Sequence, residues 1–274
     1  MVARSYLFVP GDQLDVLAKA DRRGADALIV DLEDAVAPSR KKEAREITLA
    51  WLAENKQTEA ERWVRVNPGS LGIEDLRTLE DASIDGVMLP KLGDADEVGE
   101  WAERVLGPRP HRKLIVLIET ARALSDMDRI ASWENVCQLM IGEADLGADI
   151  GMAPKHPAWD SLRAGVVVAS TAAGIDPPIG PVDPDFSSPD RLETETRYLK
   201  EMGFGSRAVI HPTQIEPVHR GLDPTPEECE EARRLLEQYE QTLLQGQGVG
   251  VDDEGKLVDE AFVRRARRVL ETGC

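Results

Sequence analysis

Several apolar runs in this sequence end in side chains that can do chemistry. Pro10-Gly11-Asp12 follows the first run, and Asp31-Leu32-Glu33-Asp34 follows the second. Arg65-Val66-Asn67, Pro90-Lys91, Glu119-Thr120, Gly142-Glu143-Ala144-Asp145 and His211-Pro212 close later ones. If these runs are parallel strands of one barrel, all of their C-terminal ends open on one face, which is where barrel active sites lie. The chain would then gather at least five carboxylates, one arginine and one lysine on a single rim. Crowded carboxylates repel one another, and a bound cation relieves that repulsion. Oxygen donors without a His or Cys cluster point to Mg2+, with Mn2+ as the other choice, rather than zinc.

Glu119 and Asp145 are the best metal pair, because each ends a strongly apolar run. Either one alone also reads as a helix cap or first-turn acid. Arg65 sits between Val64 and Val66, so its guanidinium is expected in the barrel mouth, gripping a carboxylate or stabilising an enolate. It also reads as the ion-pair partner of Glu33 or Asp34. Among Asp31, Glu33 and Asp34, at least one is expected to orient Arg65 or metal-bound water. His211 before Pro212 reads as a hydrogen-bonded structural residue more than as a base. Lys91 after Pro90 reads as a structural or substrate-facing charge more than as a Schiff-base amine. No GxSxG marks a serine nucleophile.

The elements that must carry these groups alternate. Strands are expected at Tyr6–Val9, Ala27–Val30, Trp63–Val66, Gly86–Leu89, Leu114–Ile118, Val136–Ile141, weakly near Pro178–Ile179, and at Ala208–Ile210. Amphipathic helices are expected at Gln13–Arg22, Arg40–Glu54, Ile73–Asp81, Ala95–Leu106, Ala121–Ile130, Ser161–Ala173 and Asp190–Met202. Leu114-Ile115-Val116-Leu117-Ile118 is apolar on both faces, as in a parallel sheet covered by helices. Roughly eight such units predict an α/β fold, a closed (β/α)8 TIM barrel over residues 1–222. An open doubly wound sheet is the alternative, but no GxGxxG follows the first strand. Residues 223–274 form a helix–flap–helix extension. Thr225, Pro226 and Glu228 make a capping box, Gly246–Asp259 reads as a hairpin or flap, and a basic helix follows over Glu260–Leu270. The extension reads as a lid, an oligomerisation arm, or both.

A formal net charge of −18 repels nucleic acid and anionic membranes, so neither is expected as a partner. No apolar run is long enough for a membrane span. Cys137, Cys229 and Cys274 are odd in number and far apart, which argues against disulfides. With an opening that lacks a secretory signal, this suggests a cytoplasmic location.

Leu7-Phe8-Val9-Pro10-Gly11, Asp31-Leu32-Glu33-Asp34-Ala35-Val36, Arg65-Val66-Asn67, Met88-Leu89-Pro90-Lys91, Ile118-Glu119-Thr120-Ala121, Gly142-Glu143-Ala144-Asp145-Leu146 and Ile210-His211-Pro212-Thr213-Gln214 occur in one order. In that order and spacing the chain resembles the citrate lyase beta-subunit-like family, which is related to malyl-CoA lyases. The resemblance implies a barrel with a C-terminal extension and magnesium. It also implies cleavage of a citryl-, malyl- or citramalyl-type thioester of CoA or an acyl-carrier protein to a smaller thioester and a 2-oxo acid. Carried over by motif, Glu119 and Asp145 resemble the metal ligands. Arg65, with Pro10, Gly11 and Glu119, resembles the substrate-binding set, and Glu33 and Asp34 resemble the acids that support it. Asp259 in Leu257-Val258-Asp259-Glu260 resembles a catalytic aspartate that reaches a neighbouring subunit, although the flanking Met and Pro of that motif are missing. Arg207 stands where the family has a lysine, and proline-rich Asp176–Asp185 departs from the pattern. A homo-oligomer, trimer or hexamer, follows from the same likeness. Thioester hydrolysis, the condensing direction, and a non-catalytic thioester-binding subunit are the other activities considered.

Overall fold

In the computed structural model, residues 2–55, 58–106, 112–244, 246–251, 255 and 257–274 are described. They form two compact units, Val2–Leu222 and Asp223–Cys274.

The larger unit runs β1 (Ser5–Pro10), α1 (Leu14–Ala20), β2 (Ala27–Asp31), α2 (Lys41–Glu54), β3 (Glu61–Arg65), α3 (Gly69–Thr78), β4 (Gly86–Leu89) and α4 (Ala95–Leu106). It continues through β5 (Lys113–Ile118), α5 (Ala121–Ser125), α6 (Met127–Ala131), β6 (Val136–Ile141), α7 (Glu143–Ile150), α8 (Trp159–Ala173), β7 (Ile179–Gly180), α9 (Pro189–Met202), β8 (Ser206–Val209) and α10 (Ile215–Leu222). The strands close in sequence order into a parallel barrel, with β8 paired to β1. This is the (β/α)8 TIM barrel that the strand-and-helix alternation predicts.

Side-chain parity divides the core in two. Leu28, Val30, Val64, Val87, Val116 and Leu139 point outward against the helices. Tyr6, Ile29, Trp63, Met88, Ile115 and Met140 point inward and fill the barrel. Trp63 lies over Gly86, where a Cβ would come within 2.3 Å of its ring, so the large side chain requires the small one. The N-terminal end of the barrel is sealed by polar groups. Tyr6 donates to Gln138 Oε1 at 2.8 Å, Gln138 Nε2 donates to Ser206 Oγ at 3.1 Å, and Ser206 donates to the Ala3 carbonyl at 2.6 Å. The same inward parity, continued to the other end, places Phe8, Asp31, Arg65 and Glu119 above the apolar layers.

Several elements differ from expectation. The helix predicted over Ala121–Ile130 breaks at Asp126, whose φ of −113° is not helical. Helices α7 and α10 stand outside the helices expected from the sequence; each is short and interrupted by glycine or proline, so its periodicity is weak.

The smaller unit contains α11 (Pro226–Leu244), a β9–β10 hairpin (Gly250–Val251 and Leu257–Val258) and α12 (Glu260–Glu271). Thr225 and Glu228 exchange the two capping-box hydrogen bonds, at 2.8 and 3.1 Å. Asp252–Glu254 and Lys256 of the predicted flap lie outside the described residues. The expectation of unpaired cysteines is corrected: Cys229 and Cys274 form a disulfide. Their 45-residue separation hides their proximity, because α11 and α12 pack against each other and bring the chain end back to the first turns of α11. Cys137 remains a free thiol.

Candidate active site

The open end of the barrel holds a cavity of about 440 Å³. Arg65, Glu119, Asp145, Phe8, Met140 and Val182 are among the residues that line it. Pro10 lines it too, while Gly11 sits behind the wall, its N–H bonded to the Asp31 carbonyl at 2.9 Å. The loop after β7 contributes Pro181 and Val182.

Arg65 ends β3 beside its register partner Asp31 at the end of β2. Its Nε and Nη2 donate to Asp31 Oδ1 and Oδ2 at 2.8 and 2.6 Å, a two-pronged pair that fixes the plane of the guanidinium. Nη1 lies 3.1 Å from Glu33 and 3.9 Å from Asp34. Phe8 packs under the guanidinium, 4.9 Å from ring centroid to Cζ. Of the three acids expected to orient Arg65, Asp31 is the main holder, Glu33 assists, and Asp34 is half exposed, farther from the guanidinium and paired with Lys91. Burial opposes the charge on Arg65, but these acids outweigh it and keep the group firmly cationic.

Glu119 directly follows β5 and is 2 % exposed. Its neighbour Thr120 caps α5 by accepting from Ala123 N at 3.0 Å and donates to the Leu92 carbonyl at 2.8 Å, which anchors the turn. Glu119 Oε1 accepts the Lys91 backbone N–H at 2.6 Å. On its other side, a Cβ at position 142 would lie 2.7 Å from Glu119 Cβ and 2.9 Å from Oε2, so Gly142 leaves the room that this carboxylate occupies. Burial pushes the Glu119 carboxyl up to about 7; the Lys91 N–H and Arg65 oppose the rise, and the charges of Asp145 and Glu33 add to it. Asp145, in the first turn of α7, lines the same cavity and is solvent-exposed.

Glu119 and Asp145 thus bring two carboxyl groups to one cavity, and the charge of Asp145 disfavours that of Glu119. Among the described residues, no group of three or more His, Cys, Asp and Glu forms a complete metal cage. Two carboxylates with room for other oxygens is the donor set magnesium takes, so the residues fit that ion. The raised Glu119 pKa sets a pH dependence. Below pH 7 the metal-free carboxyl holds a proton that a cation must displace. Apparent Mn2+ or Mg2+ affinity is expected to fall ~10-fold per unit below pH 7 and to level off above it. Calorimetric titration between pH 5.5 and 8.5 measures this; an affinity flat across that range contradicts it.

Lys91 Nζ pairs with Glu33 and, at 2.9 Å, with Asp34. Burial opposes its charge, but the two acids raise the ammonium above its usual range, which removes the neutral amine that Schiff-base chemistry needs. His211 Nδ1 meets Thr213 Oγ1 at 2.8 Å and its ring stacks on Phe186, so it shapes the turn after β8. Arg207 points away from the cavity. It donates to Thr196 Oγ1 at 2.8 Å and to the Pro181 carbonyl at 3.2 Å, bracing the wall from behind. Asp259 caps α12 in the smaller unit, accepting from Ala261 N at 2.8 Å.

A larger cavity of about 890 Å³ adjoins the first between α7, α8 and α9. It contains none of Arg65, Glu119 or Asp145, and its Arg163 and Arg191 are tied to Glu143 and Asp183 at 2.6 and 2.7 Å. Arg65, Glu119 and Asp145, singled out by the sequence, line the smaller one. Sequence reasoning missed Phe8, Met140 and Val182 as site residues. The parity that points Tyr6 inward also selects Phe8, but nothing in the proline-rich segment signals Val182.

A parallel barrel with acids and one guanidinium at its C-terminal mouth defines a scaffold for metal-assisted aldol-type chemistry. The chain belongs to the HpcH/HpaI aldolase/citrate lyase family, whose sequence model matches residues 4–212. It is 32 % identical to a (3S)-malyl-CoA thioesterase of Cereibacter sphaeroides, over 97 % of this chain and 93 % of that one. It is 30 % identical to the citrate lyase subunit beta of Haemophilus influenzae, over 98 % and 96 %. Its fold is similar, with a TM-score of 0.83 and 28 % identity, to the protein CitE of Mycobacterium tuberculosis solved with magnesium, acetoacetate and coenzyme A, over 98 % and 97 % of the two chains. No helix among the described residues is long and apolar enough to cross a membrane.

Proposed function

We propose that this chain is a magnesium-dependent carbon–carbon lyase that splits a citryl-, malyl- or citramalyl-type acyl thioester into an acetyl or acyl thioester and a 2-oxo acid. The observation that carries the reading is the convergence of Glu119, Asp145 and Arg65 on one cavity with an apolar wall of Phe8, Met140 and Val182.

Glu119 and Asp145 are the residues that would hold magnesium, which when bound supplies positive charge to the oxo-acid oxygens. Arg65, held by Asp31, offers its remaining N–H groups to the oxygen that gains charge as the thioester enolate departs. Phe8 beneath the guanidinium keeps water from its face. Glu33 and Asp34 balance Arg65 and Lys91, so the mouth carries its charges in fixed pairs. Asp259 is the group assigned to proton exchange at the methyl carbon, a role supported by its place in Leu257-Val258-Asp259. The smaller unit then serves as lid and oligomerisation arm in a homo-oligomer, trimer or hexamer, and the carrier is CoA or an acyl-carrier protein.

The thioesterase relative supports a second reading, in which the same site hydrolyses the thioester after or instead of cleavage. Citryl-, malyl- and citramalyl-CoA incubated with the purified protein and Mg2+ separate the two. The lyase releases a 2-oxo acid and keeps the thioester; hydrolysis after cleavage releases 2-oxo acid and free thiol together, and hydrolysis instead of cleavage releases free thiol without 2-oxo acid. No turnover of any of the three with or without an acyl-carrier protein would remove both readings.

A further inference from the structure

We infer that Lys91 is a positioning residue that locks the metal-facing carboxylate of Glu119 to the acids around Arg65, by holding a left-handed backbone. The inference rests on the proposed metal site and adds a device that nothing above assigns. Lys91 has a φ of +52°, and among the described residues no other non-glycine residue has a positive φ. That conformation is unfavourable for a side chain with a Cβ, and it persists where surrounding contacts over-determine it. Here the contacts are at both ends of one residue. The backbone N–H donates to Glu119 Oε1 at 2.6 Å, while Nζ bridges Glu33 and Asp34. Glu33 in turn lies against Arg65 Nη1, and Asp31 holds the far edge of the same guanidinium. A continuous line of contacts therefore runs from Glu119 through Lys91 and Glu33 to Arg65.

The two halves of Lys91 depend on each other. The side chain, anchored by two carboxylates, keeps the backbone in the left-handed region. The left-handed backbone aims the N–H at Glu119 and restricts its rotation. Glu119 is then held between that N–H and Gly142, whose missing side chain leaves the room it occupies. Proline at position 90 already limits the chain ahead of Lys91, so few other backbone paths satisfy both contacts.

The experiment measures Mn2+ binding without substrate, by the loss of free-ion EPR signal, for wild type, Lys91→Ala, Lys91→Gly and Lys91→Arg. Circular dichroism confirms that each is folded. Alanine loses the anchor and keeps the penalty of the left-handed backbone, so its Mn2+ affinity is expected to fall ~10-fold or more, the range seen when groups behind metal ligands are removed. Glycine adopts that backbone freely. Lys91→Gly should therefore bind Mn2+ within ~3-fold of wild type despite losing the same ion pairs. Arginine keeps the charge and should also stay within ~3-fold. Wild-type affinity in Lys91→Ala overturns the inference, and so do equal losses in the alanine and glycine variants. A wild-type protein that binds no Mn2+ overturns the metal reading itself, and this inference with it.

Discussion

Glu119→Gln is expected to abolish magnesium-dependent turnover and, at pH 8 in chelator, to raise the melting temperature. The two effects have one origin. Glu119 is almost fully buried, and its carboxyl sits near 7 rather than at 4.5, because burial and the neighbouring acids disfavour its charge. A carboxyl raised in the folded state contributes stability below its unfolded pKa and loses it as pH rises through the folded value. Between pH 4.5 and about 7 the metal-free protein should therefore lose about 3 kcal/mol. Glutamine has the same shape, still accepts the Lys91 N–H, and carries no charge to desolvate. At pH 8 without metal the variant should exceed wild type by about 3 kcal/mol, or roughly 6–12 °C in Tm for a unit of this size. At pH 4.5 the difference should vanish, because wild type is then protonated as well. With saturating Mg2+ the order should reverse, since wild type gains binding energy that the variant lacks. Turnover of the active thioester should fall ~10³-fold or more. Thermal melts at both pH values, with and without Mg2+, check the pattern; a variant less stable than wild type at pH 8 in chelator refutes this account of Glu119.

The barrel was legible in the sequence because its information is local. Eight apolar runs of strand length alternate with amphipathic segments, and inward parity carries straight from Ile115 and Leu117 to Glu119. Two-residue β7 was only weakly legible, near Pro178–Ile179, and forms at Ile179–Gly180 between β6 and β8. The acids after β2 could not be ranked. The strand ends at Asp31 and the chain turns, so alternation no longer says where Glu33 and Asp34 point. Asp31 carries two backbone N–H groups, from Glu33 and Ala35, as well as the guanidinium, and that demand appears only in three dimensions. The Cys229–Cys274 disulfide was hidden for the opposite reason. Cys229 sits on a readable helix and Cys274 three residues beyond the end of another, but the pairing of α11 with α12 is a long-range fact that no spacing rule contains. The positive φ of Lys91 was equally silent, because no glycine marks the position.

Arg65→Met is expected to cost both stability and activity, and the two losses can be separated. The guanidinium touches Asp31, which is 1 % exposed, and Glu33, which is 3 % exposed. Deleting it leaves buried carboxylates facing each other, and breaking such a pair from one side costs about 3–5 kcal/mol. Lys91 still holds Glu33, so the orphaned charge is chiefly that of Asp31. A Tm fall of roughly 10 °C is expected. Adding Asp31→Asn removes that charge and keeps an acceptor oxygen for one of the two backbone N–H groups, those of Glu33 and Ala35, while the other faces the amide nitrogen, so it should restore part of the lost stability. Activity should not return with it. If Arg65 stabilises the departing enolate, both the single and the double variant stay ~10²–10³-fold below wild type in kcat. Arg65→Lys should resemble them in kcat, since an ammonium cannot keep a two-pronged grip on Asp31 and also face the substrate. A folded double variant with wild-type kcat would make the guanidinium a strut for β2 and β3 and move the positive charge that the reaction needs onto the metal pair alone.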